Sequence, residues 1–456
     1  MINAHAFAAL LCISTSACAG AAAQPGAARA VPRAPALTTA ASAALGDDAV
    51  APDRDAAAIA ALRAAGPAGL RDLFAAYDAA PTAALASTID RVAAQRYATV
   101  SRLYWYTDLD GAKAAARSSG KPILSLRLLG RLDEDRSCAN SRFFRTALYS
   151  DPAVATLLRE KFVLHWSSER DIPRVTIAFP DGRRIESTVT GNSLHAVLDA
   201  DGQVIDALPG LYMPPAFVVE LGNSLELATS LVGKAAAARA ALIQAYQGQV
   251  VVDARAAWAA ASGTIALPTT ARLGARADVE SLLAAGQRAS MSKAMIEVPM
   301  LTRLSAGTDP GKAPDDVRLW GAIGEALYGI GGLTLGPTTA RLGSTAALVP
   351  RDQASPPHIL GPATRALMTA VHGEGGPTSP DVVIDRFELS MAADTAKNEL
   401  ALRPQIAQRL TDGPMTFDAF TAWVYPEVFA MPRDDAWLGL LPRTDFTGLP
   451  DDGVVR

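Results

Sequence analysis

Cysteine is almost missing from these 456 residues: there are three, Cys12, Cys18 and Cys138, beside only five histidines. So few thiols exclude a disulfide-stapled scaffold and a multi-cysteine zinc module. Charge of one sign is lacking too. The formal net charge is −4 with 19% charged residues, and no lysine- or arginine-rich run suggests nucleic acid or an anionic membrane surface. No apolar stretch is long enough to cross a bilayer as a helix. What remains is half apolar, which excludes wholesale disorder, and long enough for two or three folded units.

The first residues read as a targeting segment. Ala6 to Ala17 is a short run of apolar and small residues, and Ala21-Ala22-Ala23 offers a small-x-small cleavage pattern. Residues 1–23 are therefore expected to be a signal peptide, with a periodic-free Ala/Pro-rich linker over 24–55. An alternative makes Cys18, after Thr15-Ser16-Ala17, a lipid-attachment cysteine. Either route implies a periplasmic or secreted protein with no transmembrane helix in the mature chain. Cleavage at Ala23 would leave Cys138 as its single thiol.

Helical spacing of Ile59, Leu62, Leu70, Leu73 and Phe74, then of Leu85, Ile89 and Val92, predicts a short helical N-terminal segment over 56–102. The middle, 103–232, alternates. It predicts a helix over Leu109–Ser119, a buried strand over Ile123–Leu129, helix over Cys138–Lys161 with a break at Asp151-Pro152, and a strand ending near His165-Trp166. Two hairpins follow, one around Pro180-Asp181-Gly182 and one around Asp199-Ala200-Asp201-Gly202, before a helix opened by Pro214. From 233 to 456 the pattern is mostly helical, with expected helices over Lys234–Gln247, Val279–Leu304, Asp315–Tyr328, Val382–Leu410 and Phe417–Val428. The cluster Trp423, Tyr425, Phe429 and Trp437-Leu438-Gly439-Leu440 is expected to staple the chain end onto that helical region.

Cys138 is the residue with chemistry. It follows a buried strand and opens a helix, where free backbone N–H groups and a partial positive charge stabilise a thiolate. Arg136 and Arg142 add positive charge, Asp133, Glu134 and Asp135 oppose it, and Ser141 lies one turn on, placed to hydrogen-bond the sulfur. The competing reading is a small apolar residue tucked into a cap.

Lys121-Pro122-Ile123-Leu124, Cys138-x-x-Ser141, Asp151-Pro152-Ala153-Val154 and Phe162-Val163 stand in the order found in thioredoxin-like proteins, and this stretch resembles that family. Asp199-Ala200-Asp201-Gly202 and Pro209-Gly210 extend the likeness over about 125 residues. The resemblance implies an α/β thioredoxin-like domain, a mixed central sheet flanked by helices, joined to a mostly α-helical C-terminal domain. It puts the family's first cysteine on Cys138 and its second on Ser141, and the place of its cis-proline on Asn192-Ser193. A serine cannot resolve a mixed disulfide, so a dithiol cycle is excluded. Two roles follow from the resemblance: a capture thiol that binds other proteins through a client cysteine, or a redox-inert binding or assembly module of the bacterial envelope. Neither needs a cofactor or a metal.

Other constellations carry less. His165 and His195 on separate strands give no ligand spacing with Cys138. Ser290-x-x-Lys293 lacks the companion motifs of penicillin-recognising enzymes, and Gly329–Gly332 lacks the setting of a phosphate loop. Asp394 and Asn398, at i,i+4, suggest a packing contact, and His358 and His372 are expected in loops without partners. An enzyme site between the middle and the helical region is a third, weaker reading.

Overall fold

A computed structural model describes residues 52–188, 191–264, 315–330, 358–372 and 379–431. The expected targeting segment, the helix over 279–304, Ser290–Lys293, Gly331-Gly332 and Trp437–Leu440 lie outside the described residues.

The chain is mixed α/β. Helices α1 (Pro52–Ala64), α2 (Arg71–Ala79), α3 (Ala83–Ala93) and α4 (Ala98–Ser101) come first. They enclose a small core of Ile59, Leu62, Leu73, Ile89 and Val92, which are the positions whose spacing predicted the helices. Arg63 on α1 donates to the carbonyls of Val92 and Trp105, tying this core to the chain beyond it.

Helix α5 (Leu109–Ser119) starts where the Asp108 side chain accepts the Gly111 N–H and stops at Gly120, whose φ of +70° ends the turn. Strand β1 (Ile123–Leu129) follows. It is parallel to β2 (Val163–Arg170) and antiparallel to β5 (Leu194–Leu198), which pairs in turn with β6 (Val204–Pro209). The sheet order is β2-β1-β5-β6. Parallel β1 and β2 require a crossover, supplied by α6 (Ala139–Phe143), a π-turn at Phe144–Leu148, and α7 (Pro152–Lys161), which the Asp151 carboxylate caps. The sequence predicted His165-Trp166 at the end of a central strand; instead β2 is an edge of the sheet and both residues lie within it. Its free side is met at one point, where Tyr106 N–H donates to the Leu164 carbonyl and Trp166 N–H to the Tyr106 carbonyl.

Strands β3 (Arg174–Ala178) and β4 (Arg184–Thr188) form a separate two-stranded sheet. Helix α8 (Pro214–Ser230) returns over the main sheet, and α9 (Ala236–Thr264) runs well beyond the expected end at Gln247. The rest is helical: α10 (Asp315–Leu327), α11 (Pro362–His372), α12 (Pro380–Lys397), a π-turn at Asn398–Leu402, α13 (Arg403–Thr411), α14 (Phe417–Trp423) and a π-turn at Val424–Val428. Helix α11 was not foreseen, because it follows a Gly/Pro-rich stretch that read as loop. The expected single helix over 382–410 is broken by the π-turn before Pro404, whose ring and missing N–H disfavour an unbroken helix there.

Alternation along the strands divides the sheet into two faces. Leu126, Trp166 and His195 share one, and His195 packs on Phe144 and on Phe217 of α8. Ser125, Arg127 and His165 share the other, where Phe417 of α14 lies against His165 and under the Arg127 guanidinium. Phe417, which is not one of the aromatics expected to staple the chain end, therefore covers this face of the sheet. One continuous apolar cluster holds the strands together with Tyr246, Met391, Ile406, Phe420 and Phe429. No helix among the described residues is long and apolar enough to cross a membrane.

Candidate functional site

Strand β1 delivers the chain to the site. Gly130, at φ +74°, turns it away from the sheet, and Cys138 N–H donates back to the Leu129 carbonyl at 3.2 Å. Cys138 is the N-cap of α6: its backbone is extended, and Sγ accepts the Ser141 N–H at 3.4 Å. The sulfur lies 3.5 Å from the Ser193 hydroxyl. Ser193 N–H donates to its neighbour's Asn192 Oδ1, which also accepts from the Asn140 amide at 3.1 Å. Four residues singled out in the sequence, Cys138, Ser141, Asn192 and Ser193, thus meet in one cluster between the start of α6 and the start of β5. The peptide bonds there are trans.

The cluster is closed. Cys138, Ser141, Asn192 and Ser193 are each 0% exposed. A Cβ added at Gly191 would sit 2.7 Å from both Cys138 Cβ and Leu129 Cδ1, so backbone lies directly against the Cys138 β-carbon. Tyr425, in the C-terminal π-turn, donates to the Asn192 carbonyl at 3.2 Å and covers it from another side. The Ser141 hydroxyl, expected to face the sulfur, instead accepts from Ser137 at 2.9 Å, and only its backbone N–H reaches Sγ.

The flanking charges are engaged elsewhere. Arg136 pairs with Glu186 at 2.7 Å and Arg142 donates to the Thr188 hydroxyl. The acidic loop before the cysteine is held by Arg145, which donates to the Leu132, Glu134 and Asp135 carbonyls. Burial lowers the Arg145 guanidinium to about 10. Outside this loop a surface groove of about 430 Å³ is lined by Arg96, Asp133, Glu134, Asp135, Arg136 and Arg174. The thiol does not open into it.

Neither histidine joins Cys138. His195 Nε2 shares a 2.6 Å hydrogen bond with the Tyr149 hydroxyl, and burial pushes the imidazole down to about 3. His165 Nδ1 bonds the Ser125 hydroxyl at 2.7 Å on the opposite face; burial, with Arg127 nearby, lowers it to about 4. Both are neutral at ordinary pH and serve as polar links within the core. His358, expected without a partner, lies 3.6 Å from Asp385 and from Glu388. His372, expected in a loop, is the last residue of α11. His358, Asp385 and Glu388 are spaced for a cation, but Arg365 already stands 2.9 Å from Asp385 and 2.8 Å from Glu388. The Ile359 and Leu360 N–H groups donate to Glu388 as well. The geometry fits a guanidinium-filled cluster.

A second buried polar cluster escaped the sequence reading. Arg403 is 0% exposed and contacts Glu220 of α8 at 2.5 Å, Glu399 at 2.7 Å and Asp206 of β6 at 3.0 Å. Tyr212 donates to Glu399, Tyr328 to Glu220, and Tyr246 and Ser224 to Asp206. Burial alone would lower the Arg403 pKa, yet Glu399, Asp206 and Glu220 outweigh that and hold it above its ordinary range. The only sequence signal was the i,i+4 pair Glu399–Arg403, which is common on exposed helices. Asn398 donates to the Leu211 carbonyl beside this cluster.

No family model, curated protein or solved structure matches this chain.

Proposed function

We propose that this is an exported thioredoxin-like protein in which Cys138 has become a structural cap, and that the chain serves as a redox-inert binding or assembly module. Several features support the thioredoxin-like reading. They are the strand order β2-β1-β5-β6 with β1 parallel to β2, Cys138 at the helix start after β1, and Asn192-Ser193 against its sulfur. One observation carries the functional reading: the thiol is 0% exposed. A thiolate must reach its target along the sulfur–sulfur axis to form a mixed disulfide. Here the sulfur is buried, the Ser193 hydroxyl stands 3.5 Å from it, and Gly191 packs against the Cys138 β-carbon. The test is maleimide labelling of Cys138, read by peptide mapping so that Cys12 and Cys18 are not counted, in the folded chain against the same chain in denaturant. Labelling only after unfolding supports a structural cap, and Cys138→Ser should leave partner binding intact. Rapid labelling of the folded chain would sink the proposal.

The second reading, a capture thiol, is favoured by the Ser141 N–H on Sγ, which stabilises a thiolate. It requires the cover made by Tyr425 to open. Tyr425→Phe and deletion of residues 417–431 then accelerate labelling; unchanged labelling in both leaves the cap reading alone.

A further inference from the structure

Among the described residues, the β3–β4 ribbon carries backbone groups with unused bonding capacity. It forms a sheet separate from the main one, and its side-chain ties to the rest of the described residues lie at one end. There Thr188 donates to the Ser137 carbonyl and accepts from Arg142, while Arg136 reaches Glu186. Towards the turn, Arg184, Ile185 and Glu186 are all exposed, and Ile185, at 42%, is one of few large apolar side chains so open among the described residues. An isolated two-stranded ribbon is marginal in water, and three or more strands are normally needed. No third strand pairs with β4 among the described residues.

The turn fixes which backbone groups are spare. Gly182 N–H donates to the Phe179 carbonyl, with Gly182 at φ +87°, and Phe179 N–H donates to the Arg183 carbonyl at 2.9 Å. Phe179/Arg183 is therefore a hydrogen-bonded pair. In an antiparallel ladder bonded and non-bonded pairs alternate. Ala178/Arg184 is then non-bonded, Ile177/Ile185 bonded and Thr176/Glu186 non-bonded, in the observed register. Arg184 and Glu186 consequently aim their N–H and C=O groups outward, away from β3.

We propose that this edge of β4 pairs antiparallel with the same edge of a second copy, about a two-fold axis at Ile185. The register makes the pairing self-complementary. Arg184 of one copy stands opposite Glu186 of the other, their outward backbone groups bonding, and this occurs twice by symmetry. Ile185 meets its own mate in the closer, non-bonded position between them. The result is a four-stranded antiparallel sheet from two ribbons. A β3–β3 pairing offers no such match, since its outward residues Arg174, Thr176 and Ala178 include no acid. This inference goes beyond the reading of Cys138 and does not depend on it.

Sedimentation velocity of the full chain over a concentration series tests it, with circular dichroism to confirm folding. The parent is expected to dimerise. Arg184→Glu sets glutamate against Glu186 twice and leaves the Arg136–Glu186 bridge intact; dimer dissociation should rise roughly tenfold or more. Glu186→Arg should do the same. An equimolar mixture of the two variants should form dimers again, because each copy now carries one sign, and the double variant Arg184→Glu/Glu186→Arg should self-associate. Ile185→Lys, on an exposed side chain, gives an independent loss. A parent that stays monomeric throughout, or a mixture no more associated than its components, overturns the proposal. Neither outcome bears on Cys138 labelling, so the two readings fail separately.

Discussion

Two buried polar clusters lie in one core, and they are built on opposite principles. Around Cys138 every group is uncharged: a thiol, three serines and two amides, linked by hydrogen bonds. Around Arg403 one guanidinium meets three carboxylates, with three tyrosines and a serine completing their bonds. Neutral groups cost little to bury once bonded, so the first cluster tolerates change. Charges cost far more, and each member of the second depends on the others. The first is local, joining α6 to β5. The second joins β6, α8, α9, α13 and the residue after α10, and so adds a polar tie between the helical region and the sheet.

That contrast can be broken most forcefully at Arg403. Arg403→Met leaves Asp206, Glu220 and Glu399 buried without their counter-charge and should cost about 3–5 kcal/mol in denaturant unfolding. A cost near that of a surface substitution would mean the carboxylates are relieved by protonation or water. Phe417→Ala, which uncovers His165 and Arg127, should cost a comparable ~3–5 kcal/mol. It should also raise the His165 pKa towards that of free histidine, readable by NMR titration.

The two buried histidines, outside both clusters, have their own signature in pH. His195 and His165 titrate at about 3 and about 4 when folded, below the unfolded value of 6.5. The unfolded chain therefore binds more protons between these limits. Stability is fully present above pH 6.5 and falls as pH drops, by up to ~1.4 kcal/mol per pH unit for each histidine, until the folded pKa is passed. His195→Gln and His165→Gln should each flatten the curve; an unaltered slope would place the proton uptake elsewhere. Smallest of all should be Cys138→Ser, which keeps an N-cap acceptor and is expected to cost no more than about 1 kcal/mol. A loss as large as that of Arg403→Met would erase the contrast.

Much of the site was legible because its residues act through local rules. A strand, a turn and a cysteine three positions before Ser141 predict an N-cap whatever the rest of the chain does, and Asn192-Ser193 followed from motif order. Spacing places Ser141 beside the sulfur but does not say which of its groups turns there: the backbone N–H does, while the hydroxyl accepts from Ser137. Asn140 and Gly191 were missed because their importance is a contact made across 50 residues. His165 was assigned to a central strand because its run is apolar, and apolarity does not distinguish a central strand from an edge covered by Tyr106 and Phe417.

By itself the sequence determined the elements of the middle, the cap at Cys138 and the absence of a resolving thiol. These follow from backbone spacing, turn residues and composition, all short-range. Only the tertiary structure decided that the thiol is sealed and that Arg403 is a buried centre, not a surface ion pair. It alone brought Phe417 and Tyr425 back over the sheet. Those outcomes depend on which distant segments exclude water from which groups, and burial is a property of the packed chain that no local spacing encodes.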